Sequence, residues 1–131
     1  MKQIQQDIIQ AIRENRNFHS GSASGSGYAR KYGLVGDRDK YTIGRDHEFR
    51  YELWGNGIAF GNTGIKKLYV SSCGYVTPTT VSRLNAVFAG FDIPMTAVIR
   101  DKRIRYTLNG RELCYTRGAK ILAGNWIVKL V

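Results

Sequence analysis

Cysteine, proline and histidine are scarce in this chain of 131 residues, with two of each. Cys73 and Cys114 stand far apart, with no Cys-x-x-Cys and no flanking ligand pair. A zinc knuckle and a disulfide framework are therefore excluded, and both thiols are read as reduced packing residues. A nucleophilic Cys73 would need His19 or His47 as its base. His19 abuts a Ser/Gly run and His47 opens a strand, so such a dyad is not expected. Acidic residues are few as well: ten Asp+Glu face twenty Lys+Arg, a formal net charge of +10. Carboxylate pairs for glycosyl or nuclease chemistry would have to come from Asp37, Asp39, Asp46, Glu48, Glu52 or Asp92. Asp37-Arg38-Asp39 reads more simply as a charge-balanced turn. Gly61 to Lys67 is glycine-rich and ends in lysines, yet it does not match the GxxxxGK[ST] nucleotide loop. Long apolar runs are missing too, and none approaches the about 20 residues that span a bilayer. Gln3, Gln5, Gln6, Asp7 and Gln10 interrupt the N-terminal segment before an export signal develops. These absences lead to the expectation of a cytosolic, non-enzymatic protein with no cofactor, no metal and no membrane partner.

What is present fits one domain, with a hydrophobic share of 43% that is ordinary for a folded chain. Residues 1–19 carry Ile4, Ile8 and Ile12 at four-residue spacing, the stripe of a short amphipathic helix that ends near residues 15–17. That helix is read as a packing element, with a homodimer or partner-docking role as the alternative. Residues 20–45 are read as a flexible Ser/Gly run followed by a long basic and aromatic loop. Residues 46–131 are read as an α+β domain.

Within that domain Phe49, Tyr51 and Leu53 alternate with Glu48, Arg50 and Glu52, the pattern of a half-buried strand. Turns at Gly55-Asn56-Gly57 and at Gly61-Asn62-Thr63-Gly64 complete a three-stranded meander. Thr77 as N-cap and Pro78 at the first helical position start a helix that runs to about Ala89, with Gly90 as its left-handed stop. A strand over residues 95–99 precedes Asn109-Gly110, a two-residue turn that sets Leu108 against Arg111 and Tyr106 against Leu113. Arg103 and Arg105 then share a solvent face, and a last strand covers residues 126–131. The expected architecture is an antiparallel sheet of five or six strands packed against one main helix, plus the N-terminal helix.

Leu53-Trp54-Gly55-Asn56 and Ser71-Ser72-Cys73-Gly74-Tyr75-Val76-Thr77-Pro78-Thr79-Thr80-Val81-Ser82-Arg83-Leu84-Asn85-Ala86 resemble a family of small uncharacterised tailed-phage proteins. The opening Ala11-Ile12-Arg13-Glu14-Asn15-Arg16-Asn17-Phe18 is similar to that family's first helix. The resemblance implies a phage origin and a host-cytoplasmic setting, and it carries over no catalytic residue.

The most promising chemistry is basic and aromatic. Lys and Arg neutralise phosphates with counterion release, and tyrosine faces stack on bases, which suits nucleic acid. The candidate residues are Arg30, Lys31, Tyr32, Arg38, Lys40 and Tyr41 in the loop, with Arg100, Lys102, Arg103 and Arg105 from the hairpin. A candidate phosphate site sits at the helix start, on Thr77, Thr79, Thr80 and Arg83. The bland alternative is that the cations are solvated surface, the tyrosines are core, and the threonines only cap. The function expected is largely sequence-independent binding of DNA or RNA; the alternative is a phage protein that binds and inhibits or redirects a host protein through the first helix, Trp54 and Tyr75.

Overall fold

The computed structural model describes residues 3–22, 37–114 and 118–131. In chain order they form α1 (Gln3–Arg13), β1 (Phe18–Ser22), β2 (Asp37–Ile43), β3 (Glu48–Leu53), β4 (Asn56–Asn62), β5 (Lys67–Val70), α2 (Pro78–Gly90), β6 (Met95–Arg100), β7 (Arg103–Leu108), β8 (Arg111–Glu112), β9 (Lys120–Ala123) and β10 (Trp126–Leu130). Seven strands make one sheet in the order β1-β2-β3-β4-β5-β10-β9, and three make another in the order β6-β7-β8. All pairs are antiparallel except β5 with β10.

This overturns the expected single sheet of five or six strands under one main helix. Two pairings account for the difference. Phe18–Ser22 and Asp37–Ile43, expected largely as linker and loop, pair with each other and extend the sheet beyond β3. The C-terminal strand pairs in parallel with β5, so the Asn109-Gly110 hairpin belongs to a separate sheet. Period-two alternation says which face of a strand is buried and nothing about which distant strand lies beside it.

Local signals hold where the partner is a sequence neighbour. Phe49, Tyr51 and Leu53 are buried, with Glu48 and Arg50 exposed. The β3–β4 turn falls one residue earlier than expected, on Trp54 and Gly55, both at positive φ, and Asn56 pairs with Leu53. Asn109 and Gly110 turn the β7–β8 hairpin with Leu108 opposite Arg111, the register that a primed two-residue turn imposes.

α2 begins as its sequence dictates: the Thr77 hydroxyl accepts from the Thr80 amide at 3.2 Å, and Pro78 occupies the first turn. Its end corrects the expectation for Gly90. That glycine is the last helical residue and is buried; the left-handed position falls on Asp92 at φ 55. A Cβ on Gly90 would lie 2.9 Å from the Ile12 side chain, so the small residue serves the close approach of α1 to α2. Ile8, Ala11 and Ile12 are buried in the core, while Gln5 donates to the Ser82 carbonyl and Arg13 to the Ala89 carbonyl and Asp92. The stripe of α1 is thus occupied within the chain.

The inner face of the large sheet, the two helices and the small sheet share one core, in which the Phe91 ring packs tilted against Phe49 and Trp126 with centroids 4.7 and 4.8 Å away. Asn85 on α2 fastens the edge of β6: its amide donates to the Ala97 carbonyl at 2.9 Å and accepts from the Ala97 N–H at 2.6 Å.

Candidate nucleic-acid interface

Among the described residues, the helices and the small sheet cover one face of the large sheet and nothing covers the other, called the open face below. Register sets side chains on that face in rows. Thr42 lies opposite Arg50, Arg50 opposite Phe60, Phe60 opposite Tyr69, Tyr69 opposite Lys129, and Lys129 opposite Lys120. The row crosses six strands, about 24 Å at the usual inter-strand spacing. On one side of it Lys40 pairs with Glu52; on the other, Asn62 pairs with Lys67, Lys67 with Ile127, and Ile127 with Leu122.

Phe60 and Tyr69 sit at the middle of this row, half-buried, with their rings stacked at 5.3 Å and 10°. Each ring covers one face of the other. The Lys67 ammonium lies 5.6 Å from the Tyr69 centroid, within cation–π reach. Arg50 donates from Nε to Glu52 at 2.8 Å, and its guanidinium lies where a Cβ on Gly57 would stand, 2.7 Å away. A shallow groove along the face is lined by these residues together with Lys40, Asp46 and Ile65. The groove offers flat aromatic surface for stacking, bordered by the cations Lys40, Arg50 and Lys67 and by the carboxylates Asp46, Glu48 and Glu52.

The residues singled out from sequence are dispersed. Arg30, Lys31 and Tyr32 lie outside the described residues. Lys40 is exposed on the open face. Tyr41 is turned inward, 1% exposed, among Phe49 and Tyr51, so its ring is not presented to a base. Arg38 and Arg83 both serve Asp39, which is fully buried. Arg83 donates from Nε to Oδ1 at 2.7 Å, Arg38 from Nε to Oδ2 at 2.7 Å, and the Tyr51 hydroxyl to Oδ1 at 2.6 Å. Burial alone would raise the Asp39 pKa; the hydrogen bonds from Arg83, Tyr51 and Arg38 and the Arg83 charge outweigh it and hold the carboxyl below its ordinary value. Burial first, and then the Asp39 charge, push the Tyr51 hydroxyl upward.

At the start of α2, Thr77 and Thr79 are exposed, while the Thr80 hydroxyl is buried against that of Thr77. With Arg83 engaged by Asp39, the four residues do not converge on one anion. In the hairpin, Arg100 is paired with Glu112, Lys102 occupies the β6–β7 turn at φ 61, Arg103 is exposed and Arg105 is half-buried. The described loop cations, Arg38 and Lys40, and the hairpin cations thus lie on different sheets.

Sequence reasoning did not single out Phe60, Tyr69, Arg50, Lys67 or Lys129 for binding. The available signal was two aromatic residues on the polar parity of adjacent strands, positions where alternation leaves a ring facing water. Among the described residues there is no cluster of His, Cys, Asp and Glu able to hold a metal ion. No described helix is long and apolar enough to cross a membrane. Compared with known protein families, curated proteins and solved structures, the chain matches none.

Proposed function

We propose that this protein is a non-enzymatic phage accessory factor of the host cytoplasm that binds single-stranded DNA or RNA on the open face of its large sheet. The stacked Phe60–Tyr69 pair on the open face, in one row with Arg50 and Lys129, carries the reading. A base laid against either ring gains contact that does not depend on its identity, and Arg50, Lys67, Lys129 and Lys120 meet the adjoining phosphates. The net charge of +10 favours encounter with a polyanion. Duplex is a poorer fit, because stacking needs bases already unpaired.

Fluorescence anisotropy of labelled single strands and duplexes at two salt concentrations tests this. Single strands should bind more tightly than duplex, and affinity should fall steeply with salt. Equal or absent binding of both sinks the proposal.

A second reading has one observation in its favour. Ile65 and Leu122 are 69% and 75% exposed, and Ile127, opposite Leu122, is exposed as well. An apolar patch of that kind suits a host protein partner. A stable complex with a protein from host lysate that is lost in Leu122→Asp and kept in Phe60→Ala would favour it.

A further inference from the structure

A second basic site lies where the two sheets adjoin. Val70, Ser71 and Ser72 at the end of β5, Leu130 at the end of β10, and residues of β7 and β8 line a cleft of about 600 Å³, ample for a small ligand. It shares no lining residue with the groove on the open face. Two arginines, Arg103 and Arg105, enter it from alternate positions of β7. Glu112 is the one acidic side chain among its described lining residues, and Arg100 already holds that carboxylate.

Arg105 supplies the observation that points to a ligand. Its Nε–H is sealed from solvent and has no hydrogen-bond partner among the described residues. A charged donor left in that state costs free energy, and a turn of the half-buried Arg105 side chain that brings it to an acceptor in the cleft would recover that cost. Across the cleft, the Ser71 and Ser72 hydroxyl oxygens accept from the Cys73 and Gly74 amides at 3.1 and 3.3 Å. Each hydroxyl hydrogen is therefore still available to donate.

We propose that this cleft binds a phosphate group, with Arg105 and Arg103 supplying the guanidinium donors and Ser71 and Ser72 the hydroxyl donors. A guanidinium fork matches phosphate oxygens in both geometry and charge, and the two hydroxyls on the same cleft add neutral donors of the kind a phosphate accepts. The phosphate is either a free monoester or the backbone diester of a strand. The site stands apart from the open face and does not depend on stacking there.

The test follows the Arg105 Nε–H resonance by NMR while the full-length protein is titrated with inorganic phosphate and, separately, with a short oligonucleotide lacking terminal phosphates. A saturable shift with either supports the site. Movement with inorganic phosphate assigns it to a free ligand, and movement with the oligonucleotide alone assigns it to a backbone. Arg105→Lys, which keeps the charge and removes the Nε–H, should weaken binding about tenfold, as expected for one charge-assisted hydrogen bond. Ser71→Ala and Ser72→Ala should weaken it with the fold intact by circular dichroism. Phe60→Ala should leave the phosphate titration unchanged, which separates this site from the stacking platform. No shift with either titrant, or unaltered affinity in both Arg105→Lys and the serine variants, overturns the proposal.

Discussion

Asp39 on β2 and Arg83 on α2 are buried together, bonded at 2.7 Å across 44 positions of sequence. The contact ties the large sheet to the helix that leads into the small one. Removing one partner of such a pair leaves the other as an unmet buried charge, so Asp39→Asn should cost about 3–5 kcal/mol at neutral pH. Since folding lowers the Asp39 pKa, its contribution is complete above the ordinary value of 3.8 and is lost as pH falls through the folded value. Urea denaturation at pH 7 and at successively lower pH should show the wild-type advantage over Asp39→Asn shrinking as the pH drops below 3.8. Equal stability at pH 7 would contradict this account of the cluster.

Tyr41 behaves differently, because its buried hydroxyl has no partner among the described residues. Tyr41→Phe removes an unmet polar atom and keeps the ring, so the melting temperature at pH 7 should hold or rise. Burial pushes the Tyr41 hydroxyl up to about 12. A raised pKa makes its contribution full below about pH 10 and lost as pH climbs towards the folded value. Thermal melts across the alkaline range should therefore show a shallower decline in Tyr41→Phe, and a steeper one would be inconsistent.

The platform makes its own prediction. Phe60→Ala and Tyr69→Ala should each weaken single-strand binding by about 1–3 kcal/mol, the usual worth of a base–aromatic stack. The two losses should be non-additive, because the rings support each other. Anisotropy titrations of the singles and the double variant measure the coupling; full-strength binding in the double variant would place the nucleic acid elsewhere.

Gly61 is a purely structural test. A Cβ there would stand 1.9 Å from the Lys67 carbonyl oxygen, which is backbone and not free to swing away. Gly61→Ala should push β4 from β5 and lower stability by at least the about 1–3 kcal/mol of an overpacked core site. Hydrogen exchange should show the loss of protection centred on Phe60 and Tyr69, and undiminished protection there would refute the close approach.

Features written within a few neighbouring residues were legible in the sequence. The Thr77-Pro78 helix start, the Phe49/Tyr51/Leu53 face and the Asn109-Gly110 register all come from capping, alternation and turn chemistry, which act locally. β1 was hidden because Ser20, Gly21 and Ser22 have little strand propensity and depend on β2 for their place. The division into two sheets was hidden for a related reason: Val128 and Leu130 carry the same alternation whether they sit beside β7 or beside β5. The charge excess behind the proposed interface was legible; of the two tyrosines expected to stack, Tyr32 lies outside the described residues and Tyr41 is buried. Tyr41 follows a lysine in β2 and Tyr69 lies two residues after one in β5, and burial separates the core ring from the half-buried one on the open face.

The parallel pairing of β10 with β5 also governs the order in which the chain can mature. Leu130 finds its neighbour at Val70 after α2, the three strands of the small sheet and β9 have intervened, so a nascent chain emerging from the ribosome holds β5 as an exposed edge until β10 is made. During that interval the unpaired rim beside Lys67 and Tyr69 is the place where a growing copy is open to mispairing with another. The lysine there, a poor guest in any stray sheet, acts as a guard on an unfinished molecule before it has anything to do with a finished one.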